Sequence, residues 1–344
     1  MNELDRKKFS IKQIAAQAGV SKATVDRVLH RRGQVHYQTL KRVEQAIREL
    51  DSQQRAALAA GRTLYFDVVM LAPERFSEAV AEAITSQVGS LAPYRISPRF
   101  HLFEDIGVTE LVKLLQRSLE QGSQGVILKA PDEPPVNEAV NRLFEAGIPV
   151  ATLVTDLPAS RRIGYIGMDN RSAGRTAGYL MRRWLPPIPA RVAVVLSSQG
   201  FRGEEERESG FRQWLREQAP HLEVVELSGG LGIYDNTLRL MTDCLDRHPD
   251  LNAVYSVGGG NRAIVDAFAV RGRSLEVLIG HDLDRENRQL LAEGRIAALI
   301  DHDLQQDARR AFMQLLRFHG FLPASAAPPD FSRVLVVTPF NMAG

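Results

Sequence analysis

Two groups of residues in this chain have types and spacings that can do chemistry. The first is the stretch 10–29, SIKQIAAQAGVSKATVDRVL. Ile11, Ile14, Ala15 and Ala18 recur at the i, i+3, i+4, i+7 spacing of an amphipathic helix. Ser10 can cap that helix, Gly19 can turn the chain, and Ser21 can cap a second helix whose inward face is Val25, Val28 and Leu29. Lys22, Ala23, Asp26 and Arg27 are left facing out. An outward Arg can make a paired contact to guanine O6 and N7, worth roughly 1–3 kcal/mol of discrimination between bases. A single surface Arg would mean little, but on the second helix of a helix-turn-helix it points to reading duplex DNA.

The second group is a set of short polar segments: 72–77, KAPDE (129–133), Thr155-Asp156, GMDN (167–170), the run through Arg207, VGGGN (257–261), GHD (280–282) and IDHD (300–303). Each follows an apolar run of strand type. Carboxylates, Arg and amides in such places make charge-assisted hydrogen bonds to hydroxyl groups. His281-Asp282 and Asp301-His302-Asp303 also invite a metal reading, but neither has the His-x-x-x-His spacing of a helical site, and no metal is expected. The chain has no GxxxxGK loop, GxSxG elbow or GxGxxG turn after a strand, so neither a cofactor nor an enzymatic activity is expected.

The elements that would position these groups alternate. A third amphipathic segment runs over 39–50 with Val43, Ile47 and Leu50 on one face, completing a small all-α head over residues 1–50. Residues 51–62, DSQQRAALAAGR, make a weak helix that reads as a linker able to become helical when supported. Beyond it come FDVVML, RFHLF, GVILKA, IPVATLV, RVAVVL, LEVVEL, AVYSV, EVLIG, IAALI and VLVVT, nearly all separated by helix-like runs. That alternation predicts an α/β body of two doubly wound parallel sheets. Ligands bind at the carboxyl edges of such sheets, so a polar cleft between two lobes is expected.

Charge is divided unevenly. Residues 1–62 hold 13 Lys and Arg against 6 Asp and Glu, while the remainder holds 30 against 35. A basic head on a mildly acidic body is the asymmetry expected when only the head meets a polyanion. The single Cys244 excludes an internal disulfide, no apolar run approaches the ~20 residues of a membrane span, and MNELDRKKFS has no apolar export core. A cytoplasmic protein acting at the nucleoid, with no membrane partner, is the expectation.

With these motifs in view, the chain from Phe9 onward resembles the lactose-repressor (LacI) family of bacterial transcription regulators, whose effector domain is similar to periplasmic sugar-binding proteins. IKQIAAQAGVSKATVDRVL carries the most specific part of the resemblance. GRT (61–63), GMDN followed by Gly174, RESGF (207–211) and IGHD (279–282) support it in order. The resemblance implies that Lys22, Ala23 and Arg27 face base edges while Ser21 and Thr24 approach phosphate. It also matches Leu58 to a leucine wedged into the minor groove. Asp26 departs from the family, standing where a small hydroxyl residue is usual. The linker is about three residues short, with Ala56 where an Arg is common.

In the body the resemblance assigns Asp156, Arg207, Asp282 and His302 to sugar hydroxyls and Phe76 to the sugar ring face. Asn261 falls near a family Asn-Asp pair. Arg75 and Lys129 also point toward the cleft in this scheme, and with Arg207 they would make it cationic, which suggests a sugar acid or sugar phosphate. The lobes are expected at about 63–166 with 303–325, and 168–301 with 330–344, crossing near Gly167, Asp301 and 323–330. The resemblance further implies a homodimer on a palindromic operator, ending at FNMAG without the C-terminal heptad helix of tetrameric relatives. Regulation by a small effector, with repression as the default sign, completes the expectation. The competing classes are a cytoplasmic sugar receptor and a sugar-modifying enzyme without operator binding.

Overall fold

A computed structural model describes residues 9–30, 32–33, 35–59, 61–323 and 331–342 of the 344-residue chain. The head opens with α1 (Ile11–Ala18) and α2 (Lys22–Leu29). Ser10 Oγ accepts from the Gln13 amide at 3.3 Å, and Gln13 Oε1 accepts from the Ser10 amide at 2.9 Å. This reciprocal pair satisfies two donors that a helix start otherwise leaves bare. Gly19 then turns at φ 61°, a left-handed conformation suited to glycine. Ser21 Oγ accepts from the Thr24 amide at 3.1 Å to start α2.

The third helix, α3 (Tyr37–Ala59), lays Val43, Ala46 and Ile47 against Ile14, Val25 and Leu29. Arg42 reaches across to donate to Ala18 O at 2.9 Å and Gly19 O at 3.3 Å, pinning the turn. The segment expected to stop at Leu50 continues to Ala59. Its extension, DSQQRAALA, contains no Gly or Pro and is rich in good helix formers, so nothing interrupts propagation before Gly61.

The body contains two sheets. The first has the order β2-β1-β3-β4-β5, all parallel. Its strands are β1 (Thr63–Leu71), β2 (Arg95–Phe103), β3 (Gly125–Lys129), β4 (Val150–Leu153) and β5 (Gly164–Ile166). The strand β5 was not anticipated; three residues are too few for a hydrophobic period to show. On one face, α4 (Glu74–Val88) and α12 (Leu304–Phe318) cover Phe66, Val68 and Met70. On the other, α5 (Val108–Glu120) and α6 (Pro134–Glu145) cover Val69, Val126 and Leu128. Buried on both sides, β3 reads as the unbroken apolar run GVIL before Lys129.

The second sheet has the order β11-β10-β9-β8-β6-β7. Its strands are β6 (Ala190–Val195), β7 (Leu222–Leu227), β8 (Leu251–Ser256), β9 (Val277–His281), β10 (Ala298–Asp301) and β11 (Leu335–Val337). The helices α7 (Asn170–Trp184) and α8 (Arg202–Gln218) pack on one face, while α9 (Tyr234–Arg247), α10 (Asn261–Val270) and α11 (Arg285–Ala292) pack on the other. The fold is thus a helical head with two α/β layers of doubly wound type. One detail departs from an all-parallel expectation: β11 runs antiparallel to β10. The intervening α12 belongs to the core of the first sheet, so the chain re-enters the second from outside the βαβ progression.

Within the first sheet, Asp67 is fully buried, and Arg99 on the neighbouring strand donates to its oxygens at 2.7 and 2.9 Å. His101 Nε2 lies 3.3 Å away. Burial alone would raise the Asp67 pKa, but hydrogen bonds from His101, Arg99 and Ser118 outweigh it and bring it down to about 2. The unfolded value lies near 3.8, so this stabilisation is complete above pH 3.8 and is lost as pH falls through about 2. Asp67→Asn should therefore cost on the order of 2 kcal/mol near neutral pH. Thermal melts at falling pH should show the gap from wild type narrowing toward pH 2, and a gap that stays constant would rule out the ion pair as its source.

Candidate functional site

The outer face of α2 carries the DNA-reading candidates. Val25, Val28 and Leu29 are buried, while Ser21, Lys22, Ala23 and Arg27 are exposed and Thr24 is half-buried. Arg27 lies along the helix, with Nε 3.4 Å from Ala23 O and Nη2 3.4 Å from Thr24 Oγ1. These long contacts leave the guanidinium able to swing outward. Asp26 turns to its own helix: Oδ1 sits 3.1 Å from His30 Nδ1. The unusual carboxylate thus has a local partner, away from Arg27. Leu58 falls in the last turn of α3, but its side chain lies outside the described residues.

The cleft candidates meet in a cavity of about 710 Å³, counting its open mouth, at the carboxyl edges of both sheets. Arg75, Phe76, Lys129, Arg207 and Asp282 line it; Asp156, Asn261 and His302 do not. Local packing explains each placement. Arg75 and Phe76 stand in the first turn of α4, immediately after β1, and Lys129 is the last residue of β3. Arg207 is 3% exposed on α8, and Asn170 Oδ1 accepts from its Nε at 2.8 Å. That placement needs α7 and α8 almost in contact, which Gly210 permits: a Cβ there would come within 2.3 Å of Arg171 O.

Asp156 is engaged elsewhere. It accepts from Thr152 Oγ1 and the Leu157 amide at 2.8 Å each, and its second oxygen accepts from Arg162 Nη2 at 2.6 Å. Its carboxylate stabilises the loop after β4 instead of facing the cavity. Asn261 lies one layer back and donates to Asn287 Oδ1 at 2.7 Å. Asn287 in turn donates to His281 O at 3.0 Å and Asp282 O at 2.9 Å, fixing the backbone that presents Asp282. His302 is also behind the wall, with Nε2 3.9 Å from Asp282 Oδ1.

The structure corrects the expectation of a cationic cleft. Arg75, Lys129 and Arg207 are accompanied by Glu104, Glu204, Asp282 and Asp284 in the same lining. The cations are already engaged: Arg75 Nε lies 3.0 Å from Asp284 Oδ2, Arg207 is held by Asn170, and Lys129 donates to Leu71 O at 2.9 Å. Lys129 Nζ also sits 4.0 Å from the Phe201 ring centre. Burial brings the Lys129 pKa down to about 8, partly countered by Glu204, and pushes Asp284 up to about 6. Burial with the nearby charges of Arg207 and His302 holds His281 well below its ordinary value, leaving a neutral imidazole. By contrast Asp282 Oδ1 is buried with no hydrogen-bond partner among the described residues. The lining offers an acceptor to a ligand's donors more readily than a cation to its anion.

Sequence reasoning overlooked Glu204, Phe201 and Asn287. Glu204 accepts from the Ser197 amide at 2.7 Å and Ser197 Oγ at 2.6 Å, yet in sequence it is one acid within GEEERE. The structure adds a mark of its own: three non-glycine residues at positive φ, Val154 (φ 68°), Leu231 (φ 54°) and Asp282 (φ 66°), line the cavity. Each such residue costs of order 1–3 kcal/mol and persists only where its surroundings impose it. The glycine run of VGGGN makes room for Arg75, whose Nη2 would lie 2.1 Å from a Cβ on Gly259. Among the described residues no group of three or more His, Cys, Asp or Glu is placed to hold a metal ion.

A recognition-type helix on a small head, joined to a two-lobed body with a polar cavity, defines a DNA-binding regulator that carries its own ligand sensor. The comparisons with known proteins agree. Residues 10–52 match the lacI family of bacterial regulatory proteins, and residues 95–319 match the periplasmic binding protein domain. The chain belongs to the periplasmic binding protein domain family by its body, and its head is a helix-turn-helix domain of the lacI type. It is 28% identical to the HTH-type transcriptional regulator CelR of Thermobifida fusca over 73% of this chain and 74% of that one. It is also 28% identical to the ribose import binding protein RbsB of Escherichia coli K12, over 52% of this chain and 60% of that protein. The glucose-galactose binding protein GanP of Geobacillus stearothermophilus shares the fold, with a TM-score of 0.71 at 21% identity, covering 82% of this chain and 99% of that one. Among the described residues no helix is long and apolar enough to cross a membrane.

Arg75 belongs to the first-sheet side but grips the second, through Asp284 and through a hydrogen bond to Gly232 O at 3.2 Å. Arg75→Ala should loosen the approach of the lobes. Small-angle scattering should show a larger radius of gyration than for wild type, and superimposable profiles would show that Arg75 does not hold the cleft closed.

Proposed function

We propose that the chain is a homodimeric transcription regulator whose affinity for a palindromic operator is set by a neutral sugar bound between the lobes. The observation that carries this reading is the coexistence, in one chain, of an exposed α2 face and a cavity where a carboxylate oxygen, Asp282 Oδ1, has no hydrogen-bond partner among the described residues. In this scheme residues 1–50 form the head, 51–62 the hinge linker and 63–344 the sensing and dimerisation region. Ser21 and Thr24 meet phosphate, Lys22, Ala23 and Arg27 meet base edges, and Leu58 enters the minor groove. One recognition helix covers only a half-site, so two copies related by a twofold axis read a palindrome. The protein works in the cytoplasm on nucleoid DNA and catalyses no reaction.

The engaged cations of the cavity favour a neutral sugar over a sugar acid or sugar phosphate. Asp282 accepts from a sugar hydroxyl, Arg207 donates to a ring or hydroxyl oxygen, and Phe76 covers an apolar face of the ring. CelR is named as a transcriptional regulator, and RbsB and GanP are named for ribose and for glucose and galactose, which supports a sugar as the regulating ligand. Binding draws the lobes together and changes the placement of the paired heads, so the sugar acts through its different affinity for two dimer states. Repression relieved by the sugar is the sign adopted here.

Two substitutions should separate the functions. Arg27→Ala should weaken binding to a selected operator about tenfold or more while leaving the sugar-induced rise in melting temperature intact. Asp282→Asn, which keeps a residue tolerant of positive φ, should reduce sugar affinity about ten- to a hundredfold and leave operator affinity unchanged. If Arg27→Ala binds the operator as wild type does, the recognition-helix assignment is wrong. A thermal-shift panel in which only sugar acids or phosphates stabilise the protein would overturn the neutral-sugar reading.

A further inference from the structure

Three segments carry the chain between the sheets: 167–169 after β5, 302–303 after β10, and the stretch that ends at 331–334 before β11. Two paths lead from the cavity wall to the first of them, one hydrogen-bonded throughout and one interrupted by a single gap. One runs from Arg207 to Asn170 Oδ1 at 2.8 Å, from Asn170 Nδ2 to Tyr165 Oη at 3.0 Å, and from Tyr165 Oη to Met168 O at 3.0 Å. The other begins at Asp282 and involves residues that line no part of the cavity.

Behind Asp282 stands His302, its side chain 1% exposed, its Nε2 buried without a hydrogen-bond partner among the described residues and 3.9 Å from Asp282 Oδ1. That gap is too long for a direct hydrogen bond and suits one hydroxyl, which can accept from Nε2–H and donate to the carboxylate. On its far side, His302 Nδ1 is 2.6 Å from Oδ2 of Asp307, a fully buried residue in the first turn of α12. The other Asp307 oxygen accepts from Ser332 Oγ, to which Arg310 also donates at 3.0 Å. The Ser332 amide donates to Gly167 O at 2.7 Å, and Ser332 pairs with Met168 as an isolated bridge. Asp307 therefore bonds directly to two of the crossings and reaches the third through Ser332.

We propose that Asp307 is a positioning residue that couples occupancy of the cavity to the arrangement of the three chain crossings. It holds His302 with its free ring N–H turned toward Asp282, and it fastens Ser332 to the same imidazole. The inference rests on reading the cavity as a sugar site. The groups facing His302 are Asp282, His281, Asp301 and Asp307, with Arg310 behind Asp307. Burial favours the neutral ring, but the hydrogen bond that His302 Nδ1–H donates to Asp307 and the charges of Asp307, Asp282 and Asp301 outweigh it and raise the His302 pKa. An imidazolium holds N–H donors at both nitrogens, as this arrangement requires. A hydroxyl that draws Asp282 and His302 together would pull on Asp307, and through it on Ser332 and Gly167.

The test uses the full chain, a selected operator and a mixture of D-ribose, D-glucose, D-galactose and D-arabinose as the probe. Without sugar, Asp307→Asn should lower the titration midpoint of His302, followed by its ring nitrogen resonances, and speed amide exchange at Ser332. Ser332→Ala, a gentler change, should raise that midpoint because the Asp307 carboxylate loses a donor. With sugar, Ser332→Ala should keep the sugar-induced rise in melting temperature but lose at least threefold of the ratio between operator affinities measured with and without sugar. An unmoved His302 titration overturns the inference, and so does an unchanged affinity ratio. If none of the sugars changes the wild-type operator affinity, the sugar reading is rejected, and His302 titration with Ser332 exchange decides the connection by itself.

Discussion

Buried charge must be compensated before any ligand arrives, and this constraint shapes the body of the protein. An isolated ion in a protein interior costs several kcal/mol, so each charged group near the cavity needs a partner within the fold. Arg207 has Asn170, Arg75 has Asp284, Glu204 has Ser197 and Lys129 has Leu71 O together with the Phe201 ring. These partners lie on different elements, and Arg75 and Asp284 lie on different lobes. Compensation of charge and approach of the lobes are one problem, solved together. Asp282 Oδ1 and His302 Nε2, two of the buried polar atoms without a hydrogen-bond partner among the described residues, mark where a donor and an acceptor supplied from outside would be most effective.

The same constraint accounts for the strained backbone at the cavity. Asp282 sits at φ 66° because β9 must end with its carboxylate turned inward, while Asn287 captures the carbonyls of His281 and Asp282. Asn261 then fills the space beside Gly280, where a Cβ would approach its Nδ2 to 2.7 Å. Asn287 and Asn261 thus determine how Asp282 is presented to the cavity. This is why Asn261 stands out as a polar residue in a glycine-rich loop and yet serves a layer behind the wall.

The head obeys a simpler rule. Its helices are short, and their stability comes from one small core joining Ile14, Val25, Leu29, Val43 and Ile47. With that face committed, the opposite face of α2 is free for contacts, and the side chains available there follow from helical periodicity alone. Asp26 fits this picture without opposing it, since His30 one turn later takes up its carboxylate.

Periodicity and caps are local properties, and the sequence by itself therefore determined the helix-turn-helix, the alternation of strands and helices, and the placement of polar residues at strand ends. Ser10, Gly19 and Ser21 act on their own neighbours, and five of the eight cleft candidates face the cavity as their positions at strand and helix ends imply. Only the tertiary structure decided the rest. Asp156 has Arg162 six residues ahead, but whether the two pair or face a ligand depends on how the loop after β4 folds back. The sign of the cleft's field was also beyond the sequence, because Glu204 and Asp284 neutralise cations brought from distant segments. Charge adds over space and hydrophobic period adds along the chain. The first can be read only when strands separated by a hundred residues or more have been brought to a common edge.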